Sequence, residues 1–179
     1  MDRRVVRTVN RIKKSFIDLL QEEDFSKITV KMICDAADIE RKTFYLHFKD
    51  KYDLLDKILE DKMEHFREHV NAIPNVAPAD FYYEALNFYD RNKDIFHKVY
   101  KGRGSVPIRK KVQQYVLKRL EMRYGENHNP AVMNFVSAGI SGVFEAYVTG
   151  KLHEDKRKIA NDIANLVGQA REYLDKNEN

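Results

Sequence analysis

This sequence predicts an all-α fold of about nine helices, and two observations carry that expectation. Apolar residues recur at three- and four-residue steps along almost all of the 179 residues, the period of an amphipathic helix. Only 7 Gly and 4 Pro are present, too few to punctuate the many turns of a sandwich or barrel. A chain of this length buries enough surface to need no staples.

The first helix is expected from about Arg4 to Gln21, with Val5, Val9, Ile12, Phe16, Leu19 and Leu20 on its apolar stripe. Phe25 to Ile28 is a connector, and Thr29 stands where an N-cap belongs. A second helix, roughly Val30 to Ala37, is expected to bury Ile33, Ala36 and Ala37. Asp38-Ile39-Glu40 breaks the pattern for a tight turn. The third helix, about Arg41 to Phe48, sets Phe44 and Phe48 four apart on one face. Asp50 is a plausible cap for a long fourth helix striped by Tyr52, Leu55, Leu59, Met63, Phe66 and Val70.

Ile73 to Pro78 contains two of the four prolines, and no helix crosses such a segment intact. Beyond it lie a Tyr/Phe-rich helix (about Ala79 to Arg91), a short one (about Lys93 to Tyr100) and a loop over 101–105. Val106 to Tyr124 forms another helix, with Val112, Tyr115, Val116 and Leu120 inward. A second loop, over 125–129, leads to Pro130, well suited to a first helical turn. An apolar helix then runs to about Thr149. The last helix, about Glu154 to Asp175, carries Ile159, Ile163, Leu166, Val167, Ala170 and Leu174.

Composition narrows the function classes. One cysteine makes no internal disulfide, which argues for a reducing compartment and a cytoplasmic setting. The N-terminus shows no apolar signal core, and no stretch approaches 18 uncharged apolar residues, so no membrane span is expected. The net charge of +4 permits a polyanionic partner without requiring one.

The informative region is Ile28 to Tyr52. Two short helices joined by a three-residue turn, the second rich in Arg, Lys, Thr, Tyr and His, make a helix-turn-helix pattern. The second helix must bury Phe44 and Phe48 and offer its other face to a groove. Arg41, Lys42, Thr43, Tyr45 and His47 form that outer set. Thr43 offers a hydroxyl and a methyl, Tyr45 a ring and a hydroxyl, groups that reach base edges or the thymine methyl. Lys49 and Lys51 stand where flanking phosphates would lie.

These residues resemble the signature of the TetR family of bacterial transcriptional regulators. That signature runs from a helix ending in Leu-Leu through an approach of the form Gly-Phe-x-x-x-Thr-Val and an Ala-Ala pair. It closes on Thr-x-Tyr-x-His-Phe-x-x-Lys-x-x-Leu. Here these stand as Leu19-Leu20, Asp24-Phe25 through Thr29-Val30, Ala36-Ala37, and Thr43 through Leu54. The likeness covers about residues 5 to 60. Asp24 departs from the family's Gly, Cys34 from a larger residue, and Glu40 from Ser, Ala or Gly. Glu40 bears on the preferred base sequence, because an acid there repels phosphate or accepts from a cytosine amino group. Cys34 reads as a small buried side chain.

The resemblance implies a helix-turn-helix DNA-binding domain over 1–50 and a helical ligand-binding and dimerisation domain over 51–179. It implies that Thr29 caps helix two and touches phosphate, that Lys42, Thr43 and Tyr45 face the groove, that His47 approaches backbone or base, and that Lys51 grips phosphate. Arg3, Arg4 and Arg7 are either an arm along the duplex or a solvated charge run. Partners implied are a double-stranded operator, a second copy of the chain, and a small apolar or aromatic effector beside Phe88, Tyr89, Phe96 and Tyr147. The bland reading of those four aromatics is core. Ala138, Gly142 and Ala146, four apart, let another helix approach closely. Helix four, about 30 Å long at 1.5 Å per residue, is expected to transmit effector binding as a lever. The whole is a ligand-responsive regulator, a repressor by family average, with no enzyme activity, cofactor or metal centre expected.

Two rivals stand beside it. A helical interaction module or co-regulator without an effector would share the same helices. His65-Phe66-Arg67-Glu68-His69 spells H-x-x-E-H, a zinc-hydrolase pattern with two imidazoles on one helical face and a carboxylate between. It falls on a charged helix without a marked third ligand, and surface histidines explain it more simply.

Overall fold

The computed structural model describes residues 3–73, 75–101, 106–125 and 129–177. Among them are nine helices and no strand. The all-α expectation therefore stands, while the expected loop at 102–105, residues 126–128 and Pro74 lie outside the described residues.

The chain divides into two compact units, 1–72 and 73–179. In the first, α1 (Arg3–Glu22), α2 (Val30–Ala36), α3 (Arg41–Tyr45) and α4 (Lys51–Asn71) follow one another. Ile12, Phe16, Leu20, Phe25, Ile28, Ile33, Phe44, Leu54 and Leu55 are each 3% exposed or less, so α1 to α4 share one core. The division falls at the start of the proline-bearing segment Ile73 to Pro78, and α4 lies in the N-terminal unit. Polar ties hold it there: Lys13 of α1 pairs with Asp61, and the Lys57 Nζ donates to the carbonyl of His47 at 2.9 Å.

Local chemistry sets the boundaries. The Thr29 hydroxyl accepts from the Met32 amide at 3.2 Å and starts α2. Asp38 ends the turn after it at φ 47°, a left-handed conformation that Asp tolerates better than most residues. The Arg11 guanidinium donates to the Asp38 carbonyl at 3.2 Å. The Asp50 carboxylate accepts from the amides of Tyr52 and Asp53, both at 2.8 Å, and opens α4. Asp53 reaches back to the Lys49 amide at 2.9 Å, so two orphan donors of the helix start are satisfied.

Some expected faces are turned. Ala36 is exposed, and Cys34 takes the buried place beside Ile33 and Ala37. On α4 the stripe runs through Leu54, Leu55, Ile58, Leu59, Phe66 and Val70, while Tyr52 stays 49% exposed. Tyr52 sits in the first turn, and its ring meets Phe25 edge-on at 5.1 Å instead of entering the core. The third helix closes at Tyr45, three residues short of Phe48, which is buried from the following turn.

The second unit contains α5 (Pro78–Arg91), α6 (Lys93–Lys101), α7 (Val106–Tyr124), α8 (Pro130–Val148) and α9 (Lys156–Asn177). Helix α5 packs along α9 and α7 along α8. The α8 segment is long and apolar enough to cross a membrane by length and composition alone. Here Met133, Ser137, Ile140, Phe144 and Val148 are buried inside the unit, and Glu145 holds Arg109 of α7 through two hydrogen bonds of 2.7 Å. Leu166, expected on the inward stripe of α9, is 65% exposed. It lies between Ile163 and Val167 in sequence but points away from the face they bury.

Candidate nucleic-acid interface

Helix α3 and the turn after it expose the expected outer set unevenly. Phe44 is fully buried, and its ring lies 5.6 Å from Phe48 and 5.5 Å from Tyr45. That anchoring leaves Arg41, Lys42 and Lys49 exposed, Tyr45 half-exposed, and Thr43 and His47 half-buried. The Arg41 guanidinium donates to the Tyr45 hydroxyl at 3.4 Å and stands 6.0 Å from the ring centre. One face therefore combines two cations, a hydroxyl, and a ring whose edge is fixed by Phe44. Arg3, Arg4 and Arg7 are exposed and belong to the first turns of α1. Glu40 is the α3 N-cap residue and makes no capping bond through its side chain. Burial pushes the Cys34 thiol above its ordinary value, as suits a packed side chain.

Lys51 is employed differently from the expectation that it grips phosphate. Its ammonium donates to the carbonyls of Phe25 at 2.8 Å, Ser26 at 3.1 Å and Ile28 at 2.7 Å. It also stands 4.8 Å from the Phe25 ring centre. An ammonium has three N–H donors, and three carbonyls take them. Burial pulls Lys51 below the usual lysine value; the carbonyl dipoles favour the charged form. In this geometry the side chain ties the start of α4 to the α1–α2 connector.

Sequence reasoning missed Leu46. It is the C-cap residue of α3 and 72% exposed, beside Tyr45. Helical arithmetic contained the signal, because a residue two places from both Phe44 and Phe48 lies about 200° around the helix from each.

The four aromatic effector candidates separate. Phe88, Tyr89 and Phe96 are 6%, 3% and 0% exposed and pack on one another, with Tyr89 and Phe96 ring centres 4.6 Å apart. Tyr89 also lines, with Tyr147, an open cleft of about 350 Å³ between α5, the end of α8 and the α8–α9 loop. Asp90, Lys93 and Glu154 share that lining. The Tyr147 hydroxyl donates to Asp90 at 2.9 Å, and burial together with that bond pushes Tyr147 up to about 12. In the H-x-x-E-H segment, His65 Nδ1 lies 3.6 Å from the Glu68 carboxylate, with both side chains exposed. Among the described residues no three His, Cys, Asp or Glu side chains gather as a metal site would need.

Helices α2 and α3 and the turn between them make a helix-turn-helix, followed by α4 and a separate helical unit. The family described as "Bacterial regulatory proteins, tetR family" matches residues 17–58, the segment that runs from α1 through the helix-turn-helix into α4. It is 37% identical over 71 residues to the uncharacterized HTH-type transcriptional regulator YxbF of Bacillus subtilis, covering 39% of this chain and 19% of YxbF. Over 95 residues it is 30% identical to the HTH-type dhaKLM operon transcriptional activator DhaS of Lactococcus lactis, covering 50% of this chain and 46% of DhaS. The chain thus spans about a fifth and about half the length of these two relatives. In fold it is similar to a TetR transcriptional regulator from Streptococcus agalactiae, with a TM-score of 0.69 and 23% identity over 93% of this chain and 96% of that one.

Proposed function

We propose that the chain is a ligand-responsive transcriptional regulator that binds a pseudo-palindromic operator as a homodimer in the cytoplasm. The observation that carries this reading is the outward face of α3, where burial of Phe44 leaves Arg41, Lys42, Thr43 and Tyr45 directed away from the core. Lys42 and Lys49 supply phosphate affinity, with His47 and Thr29 assisting, and Thr43 and Tyr45 read bases.

Dimerisation is supported by what α8 and α9 leave uncovered. Phe135, Leu166 and Tyr173 are 80%, 65% and 57% exposed. A Cβ added at Gly139, Gly142 or Gly168 would meet nothing within 4 Å. Glycine inside a helix costs about 1 kcal/mol relative to Ala, and among the described residues no close neighbour of these three calls for it. Close approach of a partner's helix does. Two recognition helices about 34–36 Å apart can then occupy successive major grooves.

For the effector, the cleft beside Tyr89 and Tyr147 is the better candidate than the packed core of Phe88 and Phe96. Its Asp90, Lys93 and Glu154 lining favours a polar ligand over the apolar one the aromatics suggested. Repression is the family average. The name of the Lactococcus lactis relative, an operon activator, favours activation as a second reading.

Selection of duplexes from a random pool, followed by titration of the winner, tests the proposal. Affinity should fall roughly 10³-fold or more between 50 and 200 mM salt if several phosphates are contacted. A chain that enriches no sequence and binds duplex without salt dependence is a helical interaction module instead.

A further inference from the structure

Leu46 follows directly on the α3 helix, its amide donating to the Lys42 carbonyl at 3.1 Å, and 72% of its surface is exposed. It lies on the side of the turn opposite Phe44 and Phe48, both buried. Half-exposed Tyr45 is its neighbour, Lys42 precedes it by one helical turn, and exposed Lys49 follows it closely.

An aliphatic side chain left in water forgoes about 1.5–3 kcal/mol of burial. Folding of the module gains little from Leu46, so its environment on a partner decides its worth. The surrounding cations fit a polyanion. In the major groove of a duplex, base edges present one apolar group, the C5 methyl of thymine. We propose that Leu46 is a specificity-determining residue that packs on a thymine methyl in each half-site. The proposal rests on the DNA-binding reading above and adds the base that one side chain selects.

The test uses the full chain, the Leu46→Ala variant and a pool of duplexes with a randomised core. The duplex best bound by the unaltered chain is then remade with deoxyuridine in place of each thymine, which deletes one methyl at a time. One thymine per half-site should be sensitive, its replacement weakening the unaltered chain about four-fold per half-site, as expected for one buried methyl. Leu46→Ala should lose affinity for the thymine duplex and be indifferent to the same replacement. Its thermal midpoint should stay unchanged, since the side chain is exposed.

If Leu46→Ala enriches the same bases and responds to every deoxyuridine as the unaltered chain does, the assignment is overturned while DNA binding stands. If the unaltered chain enriches no sequence, both readings fall together.

Discussion

Lys51 and Lys49 are two residues apart and of one type, yet their surroundings differ. Lys49 is exposed, whereas the three donors of Lys51 end on carbonyls 23 to 26 residues upstream. Spacing in the sequence does not reveal such a contact, because it depends on where the α1–α2 connector folds back. Lys49→Ala should therefore lower the salt slope of DNA binding by about one and leave the thermal midpoint unchanged. Lys51→Met should do the reverse: lower stability by about 1–3 kcal/mol, as for lost hydrogen bonds to a charged group, with the slope intact. An unchanged midpoint with a shallower slope in Lys51→Met would return this side chain to the phosphates. Tyr45→Ala should cost about 1–3 kcal/mol on the selected duplex and little on random DNA. Equal losses on both would remove Tyr45 from the base-reading set. The outward face of the proposed site was legible, since Phe44 and Phe48, four apart and buried, dictate which residues remain outside.

At the scale of elements, α4 shows what residue patterns convey and what they omit. Its length and its Asp50 cap follow from the sequence, but its inward face is shifted toward Leu54 and Ile58 and away from Tyr52. Adjacent apolar residues at 54–55 and 58–59 allow two neighbouring stripes, and only the position of α1 chooses between them. Asp50→Ala should lower stability by about 1 kcal/mol through loss of the cap, read from denaturant unfolding. Asp53 gives the cap a pH signature. Accepting from the Lys49 amide, with help from the Lys57 ammonium, holds its carboxyl below the usual aspartate value. A depressed carboxyl contributes stability that is present above its unfolded value near 3.9 and lost as pH falls through the lower folded one. Between pH 5 and 2, Asp53→Asn should thus lose less stability than the unaltered chain. A parallel decline in both would exclude Asp53 as a source of acid sensitivity.

For the whole molecule, the helix order was legible from apolar periodicity together with marked starts: Thr29 and Asp50 cap α2 and α4, and Pro78 and Pro130 open α5 and α8. The proposed effector site was less legible. Aromatic residues at helical spacing belong equally to a packed core and to a pocket, and Phe88 and Phe96 are core. Assembly can be tested independently of any ligand. Gly142→Leu, placed where the protomer offers open space, should leave the fold intact and shift sedimentation from dimer to monomer or aggregate. A dimer that persists would move the interface off this edge of α8.

Helix α3 has five residues, and that brevity ties its proposed reading face to the folding of the module. Isolated helices shorter than about 12–15 residues are marginal in water even with favourable sequences, so α3 exists only while Phe44 and Phe48 are held by the rest of the module. A synthetic peptide over residues 38–50 should show no helical circular dichroism and no sequence preference. Conversely, a duplex that binds only the assembled face stabilises the native state by mass action, about 2.7 kcal/mol at a concentration 100 times its Kd. A substitution anywhere in the α1–α4 core that lowers stability will then weaken occupancy of the operator without touching a base, most steeply when the module is already near its unfolding midpoint. Heat alone would release this protein from DNA.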